Sequence, residues 1–267
     1  MELTLAYDAI LRLWPTEAPD AQGNTPDDIP DMRVILPAQG RTTGAAFIVS
    51  PGGSYLHQAY HEGVPVGEWL AAHGITAFVL HYRCGPRYRH PAPLSDAQRA
   101  VRIVRTFAPT WGLDPERIGM LGFSAGGHLT SMVATHPDNG DEQASDPIKR
   151  APSHLNLHIL VYAVITRGHR CWANILGDHP SEELLTEFCS EQHVTAQTPP
   201  AFLAHSTKDP GVPPSHSDVY AASLQAHGVP YEYVRCDMGG HGFGLHEGWT
   251  EPCIRWLQAQ EWAQSQS

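Results

Sequence analysis

The sequence predicts an α/β fold, a mostly parallel central sheet with helices on both faces, and three observations carry that expectation. Short continuous apolar runs alternate with segments of helical spacing from about residue 45 to the C-terminal region. The apolar runs lack the in-and-out alternation of half-exposed strands, as strands covered on both faces do. Turns bearing glycine and proline separate them, and no linker, internal repeat or low-complexity tract breaks the series, so residues 1–267 read as one domain.

Taken in order, the first 40 residues carry prolines at 15, 19, 26, 30 and 37, which predicts an extended N-terminal segment (about 1–40) lying over the domain. Residues 45–50 (AAFIVS) are the first buried strand, 64–73 (VPVGEWLAAH) a helix stopped by Gly74, and 75–80 (ITAFVL) a second strand. A loop rich in Pro and Arg (RCGPRYRHPAP) follows. A helix is then expected over 95–107, with Ala97, Ala100, Val101, Val104 and Ala108 on one stripe. Residues 117–122 read as a strand and 125–134 as a helix with Leu129, Met132 and Val133 inward. Strands at 157–164 and 201–205, a helix at 215–227, a strand at 231–236 and a helix at 250–260 complete the alternation.

The formal net charge of −11 excludes nucleic acid and anionic membrane as expected partners, since both are bound through basic patches. No apolar run approaches the length of a transmembrane helix. The start MELTLAYDAILRLW is not basic and is interrupted by Asp8 and Arg12, so it does not read as a secretory leader. A cytoplasmic location is expected, or a secreted or periplasmic one if a leader has been removed from this sequence. Cys84, Cys171, Cys189, Cys236 and Cys253 are far apart with no C-x-x-C pair, which argues against a zinc cluster or a dithiol motif and leaves at least one free thiol.

Chemistry concentrates at LGFSAGGH. Gly122-Phe123-Ser124-Ala125-Gly126 is a G-x-S-x-G pattern lying where a predicted strand passes into a predicted helix, the context a nucleophile elbow requires. A serine hydroxyl needs a base, and the base needs a carboxylate to orient it. Asp209 stands in HSTKDPGVP and His241 in DMGGHGFG, each directly after a predicted strand and in the chain order Ser, Asp, His. Ser50-Pro51-Gly52-Gly53-Ser54-Tyr55 follows an early strand, where paired glycines allow backbone N–H groups to face a substrate oxygen. The N–H of Ala125, at the start of the helix after the elbow, is the other expected donor. Tyr55, His57, Tyr60, Trp172 and Phe243 are candidates to line the site. His57 and His61, four apart with Glu62 adjacent, have a zinc-like spacing, but Gly63 and Pro65 disfavour a helix there, and a solvated histidine pair is the favoured reading.

With these residues in hand, the chain resembles the α/β-hydrolases of the esterase/lipase superfamily, and within them the bacterial acetyl-xylan and feruloyl esterase-like carbohydrate esterases. The resemblance runs through LWPTEAPDAQGNTPDDIP, PGGSY with HEGVPVGEWL, HYRCGPRYRHPAPLSDAQRAVRIVR, GFSAGGHL, HVTAQTPPAFLAHSTKDPGVP and GVPYEYVRCDMGGHGFGL, most of the chain. It implies an α/β-hydrolase fold and a Ser124–His241–Asp209 triad. It also implies an oxyanion hole from Gly53, Ser54 and Ala125, and hydrolysis of short acyl esters on carbohydrate or a small alcohol, without metal or cofactor. The chain departs from many relatives in carrying Ser54 where they read PGGGY, and Lys208 where they often have a second acid beside Asp209. An amidase or peptidase using the same triad and a non-catalytic binding protein on the same scaffold are the alternatives; the first usually carries an added domain, the second usually loses the base.

Overall fold

A computed structural model describes residues 5–264. Eight strands form one sheet: β1 (Ile10–Arg12), β2 (Asp31–Ile35), β3 (Ala46–Ser50), β4 (Thr76–His81), β5 (Ile118–Phe123), β6 (Leu157–Val161), β7 (Ala201–Ser206) and β8 (Tyr231–Cys236). Their order across the sheet is β1-β2-β4-β3-β5-β6-β7-β8. From β4 to β8 every pairing is parallel, while β1 and β2 add an antiparallel edge. The helices are α1 (Val64–Ala72), α2 (Ala92–Trp111), α3 (Ser124–Thr135), α4 (Trp172–Leu176), α5 (Glu182–Glu187), α6 (Ser215–Ala226) and α7 (Glu247–Ala259). Among the described residues no helix is long and apolar enough to cross a membrane.

Strands β3, β5, β6 and β7 are buried at every position, because helices cover both of their faces. One face packs on α2, α3 and α6 through Val101, Val104, Leu129, Val133, Tyr220 and Leu224. The other packs on α1 and α7 through Val66, Leu70, Trp249, Ile254 and Leu257. The chain leaves β3 to build β4 on one side and β5 on the other. The order therefore reverses at β3, so the connections after β3 and β5 diverge from the C-terminal strand ends, the place where open α/β sheets bind their ligands.

The structure lengthens the helix expected over 95–107 to Ala92–Trp111 and adds α4 and α5, and it corrects the sequence reading of two segments. The proline-bearing N-terminal segment, expected to lie extended over the surface, contributes β1 and β2 to the sheet. In β2, Met32 and Val34 are buried while Arg33 is exposed, the alternation of an antiparallel strand, masked in the sequence by Pro30 and Pro37 on either side. Residues 13–28 are clamped beside the sheet. Arg83, buried and paired with Asp96 at 2.7 Å, donates to the Pro19 carbonyl; Arg99 donates to that of Leu13; Asp28 receives Arg87 and Tyr88. The second correction concerns β6, which stops at Val161 instead of running to Val164, because Tyr162 takes φ +39° and turns the chain out of the ladder.

Three histidines sit neutral in this core. The Nδ1 of His128 faces the Tyr55 hydroxyl at 2.7 Å and its Nε2 the Phe188 carbonyl at 2.9 Å, so Nε2 carries the proton. His216 Nδ1 accepts the N–H groups of Ile165 and Thr166, and His158 pairs with Tyr220. Burial pushes His128 and His216 down to about 4 and His158 to about 3. Above pH ~6.5 neither folded nor unfolded chain protonates them; below it the unfolded chain takes up protons the native state refuses. Stability is therefore expected to fall as pH drops from about 6.5 to 4, by up to about 1.4 kcal/mol per pH unit for each histidine, and to level as the native residues protonate. Urea unfolding at half-unit pH steps reads this directly, and a midpoint constant over that window would contradict it.

Candidate active site

Ser124 occupies the junction of β5 and α3 with φ +51°, a left-handed conformation that costs a non-glycine residue about 1–2 kcal/mol. The surrounding glycines explain how the turn closes. A Cβ on Gly122 would lie 2.2 Å from the Gly126 carbonyl oxygen, and one on Gly126 would lie 2.1 Å from that of Ser50. Only hydrogen fits at either position. The tight turn lifts Ser124 above the strand ends at the N-terminus of α3, where the unpaired N–H groups of the first helical turn favour negative charge.

The triad residues expected from the sequence meet in space. Ser124 Oγ is 2.8 Å from His241 Nε2, and His241 Nδ1 is 2.7 Å from Asp209 Oδ2. Asp209 follows β7 and His241 follows β8, and Ser206 ties the two loops by donating to the Gly239 carbonyl and accepting from the N–H groups of Lys208 and Met238. The other carboxylate oxygen of Asp209 accepts the N–H groups of Gly211 (2.8 Å) and Val212 (2.9 Å). Burial pushes the Asp209 carboxyl up, but the neighbouring His205 ring, 3.6 Å away, and the hydrogen bonds from His241 and the Val212 N–H outweigh it and hold the group well below the usual carboxylate range. A fixed negative charge thus faces Nδ1, which keeps the proton on that nitrogen and leaves Nε2 free to accept from Ser124.

The loop after β3 carries three consecutive positive φ angles, at Gly53, Ser54 and Tyr55. Successive residues of this kind turn their N–H groups into a concavity suited to an anion. Gly53 has no alternative, since a Cβ there would lie 2.1 Å from the His57 carbonyl oxygen. Ser54 tolerates φ +57°, and its carbonyl is held by the Asn174 side chain at 2.8 Å. Among the described residues no partner engages the N–H of Gly53, Ser54 or Ala125, whereas that of Gly52 is bonded to Glu62 at 2.7 Å.

Of the side chains expected to line the site, Tyr55 and Trp172 are only 2% and 4% exposed and pack around His128. Phe243 is half-buried, edge-on to Tyr162, which in turn stands edge-on to His241. His57 and Tyr60 are exposed. His61 Nε2 meets the Gly242 carbonyl at 3.1 Å and stands 3.6 Å from Glu62 Oε1, while Glu62 is buried with its oxygens hydrogen-bonded to Gly52 and the Tyr162 hydroxyl. Tyr162 and His128 escaped the sequence reading, and Glu62 entered it only as a neighbour of the histidine pair, because each acts through partners 10 to 100 residues away.

Fold and site together define an α/β-hydrolase with an assembled Ser-His-Asp triad. The BD-FAE family profile matches residues 32–224, and the chain belongs to that family. It is 34% identical to endo-1,4-beta-xylanase B of Butyrivibrio fibrisolvens, over 76% of this chain and 34% of that one. It is 30% identical to an acetylxylan esterase of Xylanibacter ruminicola, over 81% of this chain and 46% of that one. The chain thus spans less than half the length of these curated relatives. Among solved structures it superposes on an acetyl ester-xyloside bifunctional hydrolase from Caldicellulosiruptor lactoaceticus with a TM-score of 0.91 and 38% identity, over 97% and 99% of the two chains.

Proposed function

We propose that this chain is a serine esterase that removes short acyl groups, acetyl foremost, from acylated carbohydrate of the xylan type. The observation that carries the reaction class is the hydrogen-bonded series from Ser124 through His241 to Asp209, set beside N–H groups that none of the described residues engages. Ser124 Oγ attacks the ester carbonyl carbon as His241 Nε2 takes its proton. The carbonyl oxygen, now negative, rests on the N–H groups of Gly53, Ser54 and Ala125. As the tetrahedral intermediate collapses, the imidazolium gives that proton to the departing alkoxide, leaving an acyl-Ser124. His241 then deprotonates water, which attacks the acyl carbon, and Ser124 recovers its proton as the carboxylic acid leaves.

The acetyl and xyloside preference is supported by the names of the relatives, chiefly the C. lactoaceticus hydrolase that matches nearly the whole length of this chain. Steady-state hydrolysis of p-nitrophenyl acetate, butyrate and octanoate, with acetylated xylan and methyl ferulate alongside, tests both levels. Acetate is expected to be cleaved with the highest kcat/KM and acetylated xylan to release acetate. Preference for octanoate or for the ferulate ester alone would overturn the substrate, and inertness toward every ester would overturn the reaction class.

A further inference from the structure

A buried carboxyl group stands directly behind the nucleophile and belongs neither to the triad nor to the expected oxyanion donors. Glu62 is 3% exposed. A Cβ placed on Gly52 would lie 2.7 Å from Glu62 Oε2 and 2.9 Å from the Cβ of Ser124, so the three residues pack against one another. Burying a carboxyl group is costly unless its oxygens are engaged, and here both are. Oε2 accepts the Gly52 N–H at 2.7 Å, and Oε1 accepts the Tyr162 hydroxyl at 2.7 Å. The same hydroxyl oxygen accepts the N–H of Gly244 at 3.1 Å, three residues past His241. A continuous path therefore runs from the oxyanion loop through one carboxyl and one phenol to the loop that carries the base.

Tyr162 is built for this position at a conformational cost. Its φ of +39° is left-handed, a conformation disfavoured for an aromatic residue and kept only where the surroundings over-determine it. Its N–H is bonded to the Ala204 carbonyl on β7, and its ring stands edge-on to His241 at 4.9 Å and Phe243 at 4.4 Å. Burial and the neighbouring Glu62 raise the phenol well above its ordinary range, so it remains a donor throughout neutral pH. On the far side of Gly244, Trp249 Nε1 donates to its carbonyl at 2.9 Å, which fixes both polar groups of that peptide segment.

We propose that Glu62 and Tyr162 are positioning residues, a carboxyl–phenol clamp that holds the oxyanion loop in register with the His241 loop. The inference rests on the acyl-transfer reading above. Nucleophile, oxyanion donors and base come from three separate strand ends, and the clamp is the buried polar link between the second and the third, beside an exposed one from His61 Nε2 to the Gly242 carbonyl. Its loss lets the two loops drift while leaving the ester-binding surface in place, and misplacement by about 1 Å costs on the order of 10²-fold in rate.

Tyr162→Phe keeps the ring and its contacts and deletes only the hydroxyl; Glu62→Gln keeps the volume but offers one acceptor where two donors arrive. For p-nitrophenyl acetate, kcat is expected to fall about 10- to 100-fold in each, with KM within about twofold of wild type. The rate of Ser124 phosphonylation by a fluorophosphonate, which reports nucleophile and oxyanion geometry whatever the natural ester, should fall in parallel. Because the two residues form one path, the double variant should lose little more than the worse single. A merely structural role would lower Tm and leave kcat, KM and phosphonylation rate of the folded fraction unchanged. That result in Tyr162→Phe overturns the proposal, as does a loss confined to KM or fully multiplicative losses in the double variant. If Glu62→Gln does not fold, Tyr162→Phe decides alone. If the wild type neither hydrolyses p-nitrophenyl acetate nor reacts with the fluorophosphonate, the acyl-transfer reading itself fails and takes the clamp with it; a reactive wild type matched by an equally reactive Tyr162→Phe overturns the clamp alone.

Discussion

Replacing Ser124 by alanine is expected to lower kcat for p-nitrophenyl acetate by about 10⁴- to 10⁶-fold, while KM and Tm stay close to those of the native chain. The hydroxyl makes a single hydrogen bond, to His241 Nε2, so its removal leaves little unpaired. The local fold does not depend on that oxygen. The Ser124 carbonyl still accepts from Val164, and alanine meets the same left-handed φ as serine. The turn is closed by Gly122 and Gly126, which the substitution does not touch. What remains is a set of N–H donors and a base with no nucleophile between them, and such a site retains only modest acceleration over water. A purified variant turning over at the native rate would remove Ser124 from the mechanism.

The legibility of this site in the sequence follows from where its parts lie. Ser124, Asp209 and His241 each sit within a few residues of a strand end, flanked by glycines or prolines whose conformational reasons are local. A reader needs only the order of strands to bring them together. The central strands were legible for a related reason: runs such as AFIVS are apolar at every position because helices cover both faces. By contrast, β2 reads as a short alternating stretch between prolines, since it lies near an edge and one of its positions, Arg33, meets solvent. The end of β6 was misplaced for a tertiary reason. Tyr162 to Val164 continue the apolar run, and nothing local announces that Tyr162 turns out of the ladder to meet Glu62, 100 residues earlier. Arg83 and Asp96 show the same limit: each looks like a surface charge in the sequence, yet both are buried as a pair beneath Trp14 and Tyr88. The burial of a charged residue is decided by a partner, and spacing alone does not reveal the partner.

The second large effect is expected at Asp209→Asn, and the hydrogen bonds around the carboxylate determine its sense. Oδ1 accepts two backbone N–H groups, from Gly211 and Val212, and an amide nitrogen cannot replace it there without setting donor against donor. The asparagine oxygen is therefore held on the backbone side, and its NH₂ is presented to His241 Nδ1 in place of Oδ2. A donor facing Nδ1 forces that nitrogen to accept, which moves the imidazole proton to Nε2, the atom that must receive the proton of Ser124. The variant keeps the volume, the backbone bonds and the position of the ring, but holds the base in the wrong tautomer. A loss of about 10⁴-fold in kcat is expected, the size seen for the same change in other triads, with KM little altered. Asp209→Ala should behave differently. It leaves Nδ1 without a neighbour and the Gly211 and Val212 N–H groups unpaired, so it should lower Tm as well as kcat, whereas Asp209→Asn should lower kcat with Tm nearly unchanged. Equal Tm losses in the two variants would show that Asp209 serves the loop rather than the imidazole.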